Sequence, residues 1–346
     1  MHIPDTEISE LRRRIHASDS LALVARARPL LEDLPVGLFG SVMSVSGLSV
    51  AWRLAQERYG APEGIAFAIA GVAVVAFVLM VAGYVIKLLT AFDAVREEFC
   101  HPVASNLFGT ILISFLQLPI VVEPFAHRLA QVIWMAGAAG MGFFAWLIAS
   151  RWMTDRLQPA HATPAWIIPI VGVLNVPLAV PTLGLLQLHG LMVAALAIGL
   201  FFAVPLFTLI FSRLLFESPL PAELKPSLLI LVAPFAVGYS TYTVTAERTD
   251  LFAEGLFALT LFLLSVLLGQ LRYLALRRPF HVSWWSVSFP IAACSVAALR
   301  FAIARPGVIT DMIALVLLIL ATLVITALLA GTLVDIGARG LRTLST

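Results

Sequence analysis

Ten apolar runs of about twenty residues succeed one another along this chain, at 35–55, 64–90, 104–122, 129–150, 165–187, 190–215, 227–245, 251–273, 282–303 and 308–336. About twenty apolar residues wound as an α-helix cross the hydrocarbon of a bilayer, where no water is present to satisfy an open backbone. The shortest link is the LQLHG turn from Leu186 to Gly190, between the fifth and sixth runs. The expected fold is an all-α polytopic membrane protein with ten transmembrane helices. They occupy 35–337, between an N-terminal segment, 1–34, and a short tail, 338–346. Composition excludes a soluble domain: 60% of the 346 residues are hydrophobic and only 12% are charged, whereas a soluble chain carries about 25% charged residues.

Lys and Arg are unevenly distributed over the links. Sixteen of the 22 fall on the side of both termini, and six (Arg53, Arg58, Arg128, Arg248, Arg300 and Arg305) on the other. This bias predicts cytoplasmic N- and C-termini in the cell inner (plasma) membrane and an even number of spans. Residues 1–34 are polar and arginine-rich, without the apolar core of a cleavable signal. Their mixture of Arg with Leu and Ile suits either a segment lying on the anionic inner leaflet or an ordinary juxtamembrane basic segment, and membrane lipids are expected partners. Cys100 falls at a cytosolic helix start and Cys294 inside a later run, so no disulfide is expected, and neither has the Cys/His neighbours of a metal site.

Prolines stand at the cytosolic start of every odd-numbered run, at Pro35, Pro102, Pro164, Pro226 and Pro279, with spacings of 67, 62, 62 and 53 residues. Each interval holds one helical hairpin, and the chain reads as five tandem helical hairpins. The odd runs also contain the breakers Gly37, Gly40, Pro119, Pro169, Pro177, Pro234 and Pro290, whereas Pro205 is the main exception in the smoother even runs. A proline within a helix frees a carbonyl, and at membrane depth that group must face protein or a water-filled cavity. The odd helices are therefore expected to form an inner ring around a central pore, with the even helices outside.

Lys87, Glu123, Glu254, Arg300 and Asp311 lie near the ends of runs, where snorkelling to the interface accounts for them. A coupled pump places a titratable or ion-coordinating group near the midplane. None stands out here, which favours a passive pathway. HExxH, GxSxG, Walker A and paired acidic motifs are missing, so neither an enzyme nor a metal or other cofactor is expected, and nothing points to nucleic acid. His101 and His281 each begin a run, where solvation or capping explains a lone histidine. The pore-lining candidates are small and uncharged: Gly37, Gly40, Ser41 and Ser44 on the first run, Ser105, Asn106 and Thr110 on the third, Asn175 on the fifth, Ser240 and Thr241 on the seventh, and Ser286 and Ser288 on the ninth. Singly, each is explained better by close helix packing. Together they would make a conduit that selects by desolvation cost, with the positive ends of kinked helices favouring anions.

Four stretches carry a resemblance: PVGLFG at Pro35 to Gly40, EEFCHPV at Glu97 to Val103, LVAPF at Leu231 to Phe235, and VSWWSVSFP at Val282 to Pro290. In this order they resemble the tellurite-resistance/dicarboxylate transporter family of bacterial TehA-type proteins, yeast-type malate permeases and sulfite exporters, and the slow anion channels of plant guard cells. The resemblance implies five hairpins around a pore, one pore in each protomer of a homotrimer, and small inorganic or organic anions as the transported species. It also implies a phenylalanine plug on the ninth helix, which here is Phe289, set on the kink of Pro290. The expected function is an anion-selective channel or facilitator. The alternative is an alternating-access carrier of malate, sulfite, tellurite or similar small organic acids and oxyanions. Trp284 and Trp285 read as anchors at the cytosolic boundary.

Overall fold

The computed structural model describes residues 31–154, 158, 161–222, 224–275 and 282–339. The N-terminal segment up to residue 30, Pro279, His281 and the tail from residue 340 lie outside the described residues. Among those described, every regular element is helical. In order they are α1 (Phe39–Tyr59), α2 (Glu63–Thr90), α3 (Phe92–Cys100), α4 (Ala104–Leu107), α5 (Gly109–Val122), α6 (His127–Thr154), α7 (Ile167–Val171), α8 (His189–Phe216), α9 (Ala233–Ala246), α10 (Leu251–Ala275), α11 (Trp285–Ala304) and α12 (Val308–Arg339). Local chemistry sets several boundaries. Gly60 closes α1 in the left-handed conformation, φ 69°, and its N–H returns to the Gln56 carbonyl, the usual glycine stop. His101 Nδ1 accepts from the backbone N–H groups of Val103 and Ala104 and so caps the turn into α4.

Nine helical stretches among the described residues are long and apolar enough to cross a membrane. The tenth expected crossing, the fifth along the chain, is broken. From Pro164 to Ala179 the backbone winds in short 3-10 turns on either side of α7, because Pro169 and Pro177 have no N–H to give to the preceding turn. A 3-10 turn rises about 2.0 Å per residue against 1.5 Å in an α-helix, so this segment still reaches about 24–32 Å. Side chains from neighbouring crossings serve its backbone: Thr241 donates to the Leu174 carbonyl and Trp134 Nε1 donates to the Val176 carbonyl at 3.1 Å. In lipid such service is obligatory. Trp134 is 1% exposed, and Trp134→Phe is expected to lower stability by about 1–3 kcal/mol by stranding that carbonyl, read as an earlier thermal unfolding in detergent.

Burial separates the crossings into two classes. In the first, third, seventh and ninth, 61–78% of the most apolar window is buried; in the five even ones only 22–33% is. The even helices turn large side chains such as Leu79, Trp146, Phe201 and Val316 outward, a surface suited to lipid tails and not to water. The protein is a multi-pass membrane protein whose interior is built from the odd crossings. α11 packs most extensively on α1, where a Cβ on Gly47 would meet the Ala292 methyl at 3.2 Å. Ser44 and Ser288, both fully buried, bring their hydroxyls within 2.6 Å across the same contact.

The charged groups near helix ends do not snorkel singly, as expected from sequence; most are paired within the protein. Lys87 is 4% exposed and meets Glu98 at 3.0 Å. Asp311 receives both Arg58 and the Tyr59 hydroxyl, Glu254 pairs with Arg305, and Glu123 with His127. Distant segments supply most of these partners, which spacing along one run cannot show. Trp285 likewise is no interfacial anchor: it is 2% exposed and donates from Nε1 to Thr332 at 2.9 Å. Between α9 and α10, Asp250 caps the first turn of α10 through Phe252 and Ala253. The Tyr242 hydroxyl, at 2.6 Å, is the main reason its carboxyl titrates below the ordinary range. That contribution to stability is complete above the unfolded pKa and is lost as pH falls through the lowered folded value.

Candidate functional site

The odd crossings begin at one face of the bundle, here the leading face, and end at the other, the trailing face. A cavity of about 310 Å³ opens inward from the leading face. All five odd crossings line it, together with Glu98 of α3. Most of the wall is apolar, including Met43, Leu107, Ile113, Ile167, Val171 and Val237. Glu98 is held in place at the wall: Oε1 accepts from the Val36 N–H at 2.8 Å, and Oε2 accepts from Lys87 and Tyr84, each at 3.0 Å. The carboxylate is thus committed to structure, and its negative charge is balanced by Lys87.

At the inner end of this cavity stands Phe289. Its ring also lines a second, smaller chamber of about 40 Å³, bounded by Gly47, Val50, Gln117, Ile120, Leu178, Val237, Ser240, Ala293, Val296 and Arg300. Only Phe289 and Val237 belong to both walls. The ring is half-buried and packs against both buried apolar clusters of the bundle, so it stands where two packed regions and two spaces meet. Beyond the chamber, a trailing-face cavity of about 870 Å³ shares Val50, Ile120, Leu178 and Arg300 with it. The spaces thus share wall residues from one face to the other, and the smallest of them lies beside Phe289.

Local sequence explains how the ring comes to be there. Pro290 lies within α11, and its missing N–H releases the Ser286 carbonyl one turn earlier. Ser286 and Pro290 both line the leading cavity. The opposite side of the same turn is tied to α1 through Ser288 and Ser44. One side of the helix is thereby anchored while the other presents Phe289 to the open space.

The sequence candidates divide into two groups. Gly37, Gly40, Thr110, Asn175, Ser286, Phe289 and Pro290 line the leading cavity, and Ser240 lines the chamber. Ser41, Ser44, Ser105, Asn106, Thr241 and Ser288 lie on neither wall. Most of their polar groups turn to backbone: Ser41 donates to the Leu38 carbonyl at 2.7 Å, the Asn106 amide donates to Pro102 at 3.0 Å, and Thr241 donates to Leu174. Satisfaction of a local carbonyl in a dry interior takes these hydroxyls and amides out of play. Sequence reasoning missed three residues. Gln117, in chain two positions before Pro119, reaches the chamber and donates to Asn175 Oδ1 at 2.9 Å; a primary amide in the middle of an apolar run was the available signal. Glu98, inside the EEFCHPV stretch, and Arg300 are the others.

Known proteins resemble this chain over most of its length. The sequence model of the family described as "SLAC1: Voltage-dependent anion channel" matches residues 33–333. The S-type anion channel SLAH2 of Arabidopsis thaliana is 27% identical over 88% of this chain and 59% of its own length. The guard cell S-type anion channel SLAC1 of the same plant is 26% identical over 88% of this chain and 56% of its length. The tellurite resistance protein TehA homolog of Haemophilus influenzae is 24% identical over 78% of this chain and 81% of its length. The chain thus spans between about half and three fifths of the plant channels SLAH2, SLAH3 and SLAC1.

Proposed function

The chain belongs to the SLAC1 voltage-dependent anion channel family, and on that premise we propose that it is an anion-selective channel or facilitator whose conduit runs between the odd crossings and is occluded by Phe289. The single observation that carries the reading is the position of that ring, in the wall of both the leading cavity and the inner chamber. An anion passing this point must shed most of its water, and an apolar ring offers nothing in return. Uncharged groups such as Thr110, Asn175 and Ser286 supply dipoles to the approach. The bias of Lys and Arg supports a cytoplasmic leading face and cytoplasmic termini, and on this reading the bundle lies in the inner (plasma) membrane. The protomer assembles as a homotrimer with one conduit each, and it carries no enzymatic activity.

Purified protein in liposomes tests the reading. Chloride and nitrate are expected to cross down their gradients, slowly for the occluded wild type, while potassium does not. Unitary current steps favour the channel. Saturable uptake that is accelerated by the same anion on the opposite side favours the carrier instead, and equal passage of potassium removes the anion assignment.

A further inference from the structure

Beyond Phe289, α11 carries one group that occlusion by the ring leaves unused. Arg300 follows it by three turns, about 16 Å along the axis, and its side chain lines the inner chamber, the trailing-face cavity of about 870 Å³ and a further cavity of about 450 Å³ that Glu57, Tyr239, Arg248 and Arg305 also line. Its Nε is buried without a hydrogen-bond partner, and among the described residues no hydrogen bond or ion pair engages the guanidinium. The neighbouring cations are all occupied. Arg58 holds Asp311, Arg248 holds Asp250, Arg305 holds Glu254 and the Thr249 carbonyl, and Arg53 donates to the Ile120 carbonyl. Two groups that can carry negative charge bear on Arg300 through space, Tyr239 first and then the carboxylate of Glu57, which is exposed on the trailing cavities.

A guanidinium keeps its proton; Arg300 is partly exposed towards the trailing cavities, and its buried Nε–H, without a partner in the protein, calls for an acceptor. We propose that Arg300 is the anion-binding residue of the trailing half of the conduit, holding a small inorganic anion between the outer cavities and Phe289. The assignment rests on the conduit reading above. The size of the chamber narrows the ligand. One water-sized sphere needs about 10–15 Å³ of such space, so a chamber of about 40 Å³ takes an ion of the size of chloride or nitrate and not a dicarboxylate. The planar fork of the guanidinium pairs two donors with two oxygens of one ligand, which favours nitrate or another trigonal oxyanion over a spherical halide.

The experiment uses the full chain carrying Phe289→Ala, so that permeation is measurable, with Arg300→Gln, Arg300→Lys and Glu57→Gln added singly and nitrate and chloride as the probes. Arg300→Gln is expected to raise the nitrate concentration that half-saturates the conductance about tenfold, the loss of one charge-assisted interaction, and to bring the nitrate-to-chloride permeability ratio towards unity. Arg300→Lys keeps anions favoured over potassium but loses the preference for nitrate. Glu57→Gln shifts half-saturation to lower nitrate, and it decides the matter should the Arg300 variants fail to fold. If Phe289→Ala alone carries no anion current, the conduit reading fails and this assignment falls with it. If it conducts, and the Arg300 and Glu57 substitutions leave half-saturation and the permeability ratio unchanged, the Arg300 assignment alone is overturned.

Discussion

Phe289→Ala is expected to convert a nearly closed protein into one with a constitutive anion conductance raised by at least about tenfold, equivalent to about 1.4 kcal/mol off the permeation barrier. Phe289 and Val237 are the two residues shared by the walls of the leading cavity of about 310 Å³ and the inner chamber, and Phe289 is the larger; its truncation to a methyl group is expected to join the two. An anion could then keep part of its hydration through the narrowest point. The effect should follow side-chain volume, with Phe289→Leu and Phe289→Val intermediate, because an apolar plug acts by filling space. Planar-bilayer recordings or chloride efflux from liposomes measure it. Truncation of a half-buried phenylalanine also removes packing, so the variant's thermal unfolding should be followed in parallel. Conductance unchanged from wild type in a folded Phe289→Ala protein would remove the ring from the permeation path.

The second large effect concerns stability at the mouth of the leading cavity. Lys87→Met leaves the Glu98 carboxylate without its cation in a site where Lys87 Nζ also donates to the Leu34 carbonyl at 2.7 Å. Breaking one side of such a buried pair costs about 3–5 kcal/mol. Glu98 additionally accepts from Val36 and Tyr84, so the network ties α2 and α3 to the turn that leads into α1. The expected result is a marked fall in thermal stability in detergent, with the mouth loosened first. The double variant Lys87→Met with Glu98→Leu should recover a substantial part of the loss, because replacing both charges by apolar groups removes the uncompensated ion. A double variant no more stable than Lys87→Met would show that the ion pair itself is not what holds the mouth.

Much of the fold could be read from the order of apolar runs and from their breakers. The contrast between proline-rich odd runs and smooth even runs corresponds to the contrast between 61–78% and 22–33% burial, because a freed carbonyl cannot face lipid. The fifth run shows the limit. Hydropathy registers Pro164–Ala179 as apolar, and its prolines mark a break, but which neighbours serve the carbonyls of the broken segment depends on where Thr241 and Trp134 can reach. The candidate site was partly legible. VSWWSVSFP drew attention to Phe289 and Pro290, yet the same stretch suggested an interfacial Trp285 that is buried against Thr332. Arg300 read as an end-of-run cation because a sequence gives its depth along the helix but not its azimuth.

Two properties follow from the sequence alone: that the chain crosses the bilayer repeatedly, and which crossings are inner. Both are set by composition and breakers within single segments, through the free energy of placing backbone and side chains in lipid. Tertiary structure alone decided which polar groups face open space and which are spent on a neighbouring carbonyl. Successive residues on a helix turn by about 100°, and the packing of α11 on α1 settles which side of that circle is covered. It is by this contact that Ser288 meets Ser44 while Phe289, the next residue along, faces the cavity.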